Sequence, residues 1–380
     1  MTDAPSDLPL AGVRVLDLSR ILAGPWCAMV LGDLGADVVK VEHPERGDDT
    51  RDWGLRTGRT TTSYFDAVNR NKRSVSIDLA TPEGLAQVKA MARDADIVVQ
   101  NFKTGGADKL GLGYEALAAE NPRLIYCSIS GYGSEGPEAS RPGYDLLVQG
   151  EAGLMALNGE AERPPLKFGL AAVDLFTGQY AAQALLAALY KRERTGKGSR
   201  VELALFDSGL ALTSYYGLEA LVQGIDPPRY GNAHPSIVPY GVFDAQDGAL
   251  VITVGNNAQF QRFCTSVIGR PDLAADPRFA TNLERSRNRA DLLPELRAEL
   301  ARRTRAELLA SLRAAGIPAG EVLGLHEALT SDRAQRAGMV VRSEEGAGAP
   351  RYILAPPYRF DGARLPVRAL PPELEATDAG

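Results

Sequence analysis

Short apolar, β-branched runs separated by helical stretches organise the first half of the chain. VRVLDL (13–18), ADVVKVE (36–42), SVSIDL (74–79), DIVVQNF (96–102) and RLIYCSIS (123–130) read as strands. Between them, a small-residue stretch from about 25 to 35 and TPEGLAQVKAMARDA (81–95) read as helices, the second with Thr81 as N-cap and Pro82 at the first helical position. Apolar strands alternating with helices are the pattern of a parallel sheet buried on both faces, so the expected fold class is α/β and Rossmann-like. A long helix is expected from about 174 to 194, where Gly196 and Gly198 stop it and RVELALFDS restarts a strand and a helix.

Beyond about 225 the texture changes. Pro227, Pro228, Pro235 and Pro239 punctuate a linker, and YGVFDAQDGALVITVG then reads as a β-hairpin turning at Asp247-Gly248. Arg-rich helical segments fill 257–315, and RYILAPPYRF (351–360) reads as a last extended element. The pattern predicts a large Rossmann-like domain over 1–215, a linker over 216–227, a smaller α+β domain over 228–325, and a segment over 326–380 that returns to the large domain.

Composition and charge narrow the function classes. The 48 acidic residues outnumber the 42 basic ones and no long basic run occurs, so the overall field favours neither nucleic acid nor an anionic membrane. A polyanionic ligand would need a local pocket. The N-terminus has no basic stretch ahead of an apolar one, and no run approaches about 18 apolar residues, so the expected location is cytoplasmic with no membrane partner. Cys27, Cys127 and Cys264 lack CxxC spacing and read as buried thiols. His43, His234 and His326 lack paired-ligand spacing, so no protein metal site is expected.

Two glycine-rich segments imitate phosphate loops. Gly131 to Gly136 fits GxGxxG after a strand, but Pro137 follows and no helix opens at the third glycine, which removes the helix N-terminus that holds a pyrophosphate. Thr195 to Ser199 lacks both the upstream glycine and the GK[ST] order of a nucleoside-triphosphate loop. His234 has no GxSxG partner motif, and Trp26 and Trp53 read as core. What remains is Asp174, in the apolar, glycine-bounded stretch KFGLAAVDLFTG (167–178) that opens the long helix. A carboxylate there meets the positive end of the helix dipole; the local residues leave open whether it is an N-cap, a first-turn acid or a nucleophile.

Eight segments in order resemble the family III CoA-transferases: LAGVRVLDLSRILAGP (10–25), LGDLGADVVKVEHPERGD (31–48), NRNKRSVSIDL (69–79), VQNFKTGGADKLGLGY (99–114), SISGYGSEGP (128–137), PGYD (142–145), GLAAVDLFTG (169–178) and RTGKGSRVELALFDS (194–208). The resemblance implies that Asp174 is the nucleophile of a CoA transfer between carboxylic acids, with no permanently bound cofactor and coenzyme A entering only as part of an acyl-CoA substrate. It implies that Ile21, Leu22 and Ala23, the strand end from Lys40 to His43, and Ile77 line the CoA site. Asn101 and Phe102 are expected to receive the pantetheine or adenine portion, and Lys72, Arg73 and Lys109 are candidates for the CoA phosphates. His43 stands where formyl-CoA transferase has an arginine, a departure that removes a fixed positive charge. Related racemases carry histidine where this chain has Tyr144, and a phenol of pKa near 10 is a poor base for an α-proton but can position a substrate carboxylate. A racemase is therefore the second reading within the fold, and a catalytically silent CoA-binding protein a third. Gly255, Asn256 and Asn257 stand where the family has a glycine-rich lid loop. The segment Gly231 to Tyr240 is similar to members acting on succinyl-CoA and short dicarboxylic acids. The family architecture implies a ring-shaped chain in an interlocked homodimer.

Overall fold

Strand pairing follows from burial on both faces of one sheet. The computed structural model describes residues 7–344 and 350–374, and its central sheet contains β1 (Arg14–Asp17), β2 (Asp37–Glu42), β3 (Lys72–Ser76), β4 (Ile97–Gln100), β5 (Ile125–Ser130) and β6 (Ser199–Ala204). All neighbours are parallel, in the order β3-β2-β1-β4-β5-β6. Side chains alternate between two cores, as the strand period of two requires. Val15, Ile97, Val99, Ile125 and Cys127 enter one core, closed by the helices Ala23–Asp33 and Ala172–Thr195; Leu16, Val98, Leu124 and Tyr126 enter the other, closed by Pro82–Asp94 and Tyr114–Glu120. Each fully buried aliphatic side chain contributes about 2 kcal/mol, so the double-sided burial makes this sheet the organiser of the unit.

Local signals explain where the helices begin and end. Thr81 accepts a hydrogen bond from the Gly84 amide at 3.1 Å, which starts the Pro82–Asp94 helix where the sequence predicts it. The long helix begins at Ala172, two residues before the expected start, so Asp174 is its third residue and lies in the first turn. It ends at Gly196, whose φ of 70° is the left-handed stop that glycine adopts without strain. At Gly178 this helix crosses the Ala23–Asp33 helix so closely that a Cβ would lie 2.5 Å from the Ala23 carbonyl oxygen. That contact sets the second turn of the long helix beside the first turn of the other.

The chain divides into two units, and the division corrects two expected boundaries. The first unit takes residues up to Leu154, Lys167–Ile225, and Ser331 onward; the second takes Met155–Leu166 and Asp226–Thr330. The segment 155–166, expected in the large domain, joins the second unit because Gly231 donates to the Gly159 carbonyl and Arg229 donates to the carbonyls of Glu160, Ala161 and Arg163. Residues 216–227, expected as a linker, are largely helical within Ser214–Gln223. The C-terminal segment is tied into the first unit through Arg351, which pairs with Asp66 at 2.7 Å, and Arg368, which donates to the Gly32 carbonyl at 2.6 Å.

Within the second unit, β7 (Tyr240–Ala245), β8 (Gly248–Thr253) and β9 (Ala319–Glu321) form an antiparallel sheet over a core that includes Phe243, Leu250, Ile252, Phe260, Phe263 and Leu312. The hairpin turns at Gln246-Asp247, one residue earlier than expected, and Gly248 already pairs with Ala245. The register is set by burial, because it places Phe243, Ala245, Leu250 and Ile252 on the core face. The three cysteines are buried, and burial pushes the Cys127 thiol up to about 12. Among the described residues no helix is long and apolar enough to cross a membrane.

Candidate active site

In a parallel sheet of this order, ligands bind beyond the carboxyl ends of the strands where the order reverses, here between β1 and β4. A cleft of about 560 Å³ lies there. It is lined by the turn after β1 (Arg20 to Ala23), the segment after β4 (Asn101 to Thr104, with Lys109), the loop after β5 (including Gly131 and Tyr144), and Asp174.

The turn after β1 holds a conformation its residues disfavour. Ile21 has φ 72°, a region that a β-branched residue occupies at a cost of about 1–3 kcal/mol. Surrounding bonds enforce it. Asn101 accepts from the Arg20 amide at 2.9 Å and donates to the Arg20 carbonyl at 2.8 Å, and Asp48 accepts from the Ile21 amide at 3.2 Å. Asp48 is held in turn by Lys40 at 2.9 Å, whose ammonium also donates to the Ser19 carbonyl at 2.7 Å; both side chains are fully buried. Burial alone would raise the Asp48 carboxyl, but the Lys40 charge and the Thr50 hydrogen bonds hold it below the usual range.

Asp174 is supported from a different side. Asp145, at the start of the helix Asp145–Glu151, accepts from the amides of Val173 at 2.8 Å and Asp174 at 3.3 Å. Gln149 donates to the other Asp145 oxygen at 2.6 Å and accepts from the Phe168 amide at 2.9 Å. Burial, and then the negative charge of Asp145, push the Asp174 carboxyl up to about 7. An aspartate at that value is poised to exchange between acid and carboxylate near neutrality.

The structure gathers most of the residues singled out above, in two adjoining cavities. Ile21, Leu22, Ala23, Asn101, Phe102, Lys109, Tyr144 and Asp174 line the main cleft. His43 and Ile77 line a neighbouring cavity of about 280 Å³ together with Lys40 and Arg46, and Arg20 and Phe102 line both. Lys72 and Arg73 do not join them, a correction to their expected role at the phosphates. Residues at the start of a parallel strand lie at its amino end, away from the crevice. Lys72 is fully buried on Asp17 at 2.9 Å, with Asn69 and the Pro25 carbonyl as further acceptors, and Arg73 is exposed and paired with Asp37.

Other candidates resolve into local roles. Gly131 packs its backbone on Gly143, where a Cβ would lie 2.6 Å from the Gly143 amide nitrogen, so this glycine folds the loop back and brings Tyr144 to the cleft. His234 accepts the amide protons of Ser236 and Ile237 through Nδ1. Trp26 packs on the core, whereas Trp53, expected there, is 39% exposed and meets Tyr64 edge-on. In the second unit Asn256 caps the helix Asn257–Arg262 by accepting from the Gln259 amide, Gly255 donates to the Gln259 side chain, and Asn257 accepts from Arg285. Sequence reasoning missed Arg20, Lys103, Arg46, Asp145 and Gln149. Arg20 was accessible to it, because the residues directly after β1 line the crevice of such a sheet.

The raised Asp174 value has a consequence for stability. Its folded value lies above the ordinary 3.9 or so of aspartate, so the folded state favours the protonated form; the associated stability is present below about pH 4 and is lost as pH rises through about 7. Asp174→Asn, neutral throughout, should melt above the wild type at pH 8 and level with it at pH 4. A wild type that melts at or above the variant at pH 8 would contradict this electrostatic reading.

Comparison with known proteins places the whole chain. Residues 10–378 match the model of CoA-transferase family III. The succinate–glutarate CoA-transferase of Agrobacterium fabrum is 42% identical over 359 residues, covering 92% of this chain and 90% of that enzyme. The succinyl-CoA:glutarate CoA-transferase of Mus musculus is 39% identical, covering 98% of this chain and 85% of that enzyme. The crystal structure of a CaiB/BaiF family protein from Brucella suis superposes with a TM-score of 0.87 at 43% identity, covering 97% of both chains. With an end-to-end family match, relatives of this similarity and a half-buried acid at the sheet's switch point, the chain belongs to the family III CoA-transferases.

Proposed function

We propose that this enzyme moves coenzyme A from succinyl-CoA to a second short dicarboxylic acid, of four to six carbons, through covalent intermediates on Asp174. The observation that carries the reading is the placement of Asp174 itself, an aspartate with a raised pKa in the first turn of a 24-residue helix, opening on the cleft. In its ionised form the carboxylate attacks the thioester carbonyl, CoA thiolate leaves, and a mixed anhydride remains. The thiolate attacks the aspartyl carbonyl and releases the donor acid, leaving an aspartyl-CoA thioester. The acceptor carboxylate displaces the thiolate to form a second anhydride, and the thiolate takes the acceptor acyl group, freeing Asp174. Each step exchanges one carboxylate or thiolate for another, so no net proton is needed.

The names of the relatives support the dicarboxylate class. So do the cations of the cleft, since Arg20, Lys103 and Lys109 offer a charge to the distal carboxylate or to the CoA phosphates. Ile21, Leu22, Ala23, Asn101 and Phe102 are assigned to the CoA chain, and His43 and Ile77 to its far end in the adjoining cavity. Tyr144, 62% exposed at the cleft, is assigned to positioning a substrate carboxylate, a role that suits a phenol and disfavours racemisation. The lid role of Gly255 to Asn257 stays with this reading as a proposal. A homodimer is part of it too, supported by exposed apolar Leu218, Leu221 and Val222 on the helix Ser214–Gln223. Light scattering should then return twice the chain mass, and a stable monomer would contradict the dimer.

Intact-protein mass after mixing with succinyl-CoA, followed by hydroxylamine or borohydride, tests the covalent step. The wild type should carry a trapped modification at Asp174, and Asp174→Ala should carry none and lose transfer activity by several orders of magnitude. Because the attacking species is the carboxylate, kcat/KM should rise with pH and level off above about 7. A wild type that shows no adduct while exchanging the α-proton of a branched acyl-CoA would put the racemase reading in its place.

A further inference from the structure

The long helix that carries Asp174 has no side-chain cap of its own. Ala171 stands at the cap position and offers no oxygen, yet the first-turn amides of any helix lack intrahelical partners. Asp145, 28 residues upstream of Val173, supplies the missing acceptor to both Val173 and Asp174. Gln149, fully buried one turn further along the same short helix, locks that carboxylate from behind. The orientation of the Gln149 amide is dictated by its neighbours, because the Phe168 N–H can only donate and the Asp145 carboxylate can only accept. Two side chains thus hold both the chain entering the long helix and its first turn.

We propose that Asp145 and Gln149 are a positioning pair for the reaction, fixing the backbone of Asp174 so that its carboxylate faces the acyl-CoA carbonyl. This rests on the reading of Asp174 as the nucleophile. The pair grips the nucleophile's own amide, so slack in it moves the reacting oxygen directly, and a displacement of about 1 Å can cost about 100-fold in rate. Asp145 also brings a second negative charge to Asp174. The carboxylate that forms beside it is more basic, hence a stronger nucleophile once ionised. The other charged groups along the cleft are Arg20, Lys103, Lys109 and Arg141. Arg141 is engaged by Glu138 and Glu151, and Asp207 stands on the neighbouring helix Leu205–Leu212. Among these groups, Asp145 is the one bonded to the nucleophile's backbone and the one whose charge shifts it.

The test compares wild type, Asp145→Ala, Asp145→Asn and the double variant Asp145→Asn/Gln149→Glu. It measures kcat, KM, the pH profile of kcat/KM and the rate of hydroxylamine-trappable adduct formation, with thermal melts as a check on folding. Asp145→Ala should lower kcat and adduct formation by about 100-fold with little change in KM. Asp145→Asn keeps an acceptor for the two amides but loses the charge and sets a donor against the Gln149 donor; its acid limb should move to lower pH. The double variant rebuilds the amide–carboxylate bond with donor and acceptor exchanged, and should recover most of the kcat that Asp145→Asn loses. If Asp145→Ala does not fold, the pH profile and the recovery decide alone. Wild-type kcat and an unmoved profile in Asp145→Asn, or a loss with neither a moved profile nor recovery, would overturn the positioning role. Absence of any adduct on wild-type Asp174 would instead overturn the nucleophile, and the pair with it.

Discussion

The buried ion pair between Lys40 and Asp48 is the contact on which the cleft depends. Neither side chain reaches solvent, and between them they hold the Ser19 carbonyl and the Ile21 amide. Ile21 can keep a left-handed backbone only because that pair and Asn101 over-determine the turn from two sides. Breaking such a pair by removing one partner strands an uncompensated charge and typically costs about 3–5 kcal/mol, which makes the turn an all-or-none feature of the fold. The neighbouring pairs Lys72–Asp17 and Arg51–Glu42 extend the same network beneath the strand ends, with balanced charge throughout. A rigid turn at the cleft follows from charges buried beneath it.

Asp174 stands on the reverse principle. Asp174 has burial and a like-charged neighbour against it, and its carboxylate is therefore less stable folded than unfolded. The sheet and the close crossing at Gly178 hold the helix in place while its first turn carries that unfavourable charge. The Ile21 turn is thus neutralised and fixed, and Asp174 is left uncompensated. In the proposed reaction the second property is useful, since a basic carboxylate attacks a thioester more readily.

What could be read from the sequence depended on how local its cause was. The α/β class was legible because strands buried on both faces leave unbroken apolar runs, and the Thr81 cap because its partner lies three residues away. Asp174 was visible as an acid opening a helix, but its reading as the nucleophile came only through resemblance, since an N-terminal aspartate is ordinary. Lys72 and Arg73 misled because residue type gives charge and not direction; only the register of β3 shows that one points into the ion network and the other away from the crevice. Asp145 and Gln149 were hidden for a related reason, because the amides they serve lie far along the chain. The Met155–Leu166 excursion was equally unreadable, being held by carbonyl contacts to Arg229.

The passage of oxygen through Asp174 is the central claim, and it can be followed atom by atom. In the anhydride cycle one oxygen of the acceptor carboxylate remains on the aspartate after each transfer. A single turnover with acceptor acid labelled in both carboxylate oxygens, followed by proteolysis and mass spectrometry, should therefore find one heavy oxygen in the peptide that contains Asp174. Transfer of CoA with no label in that peptide would contradict the account.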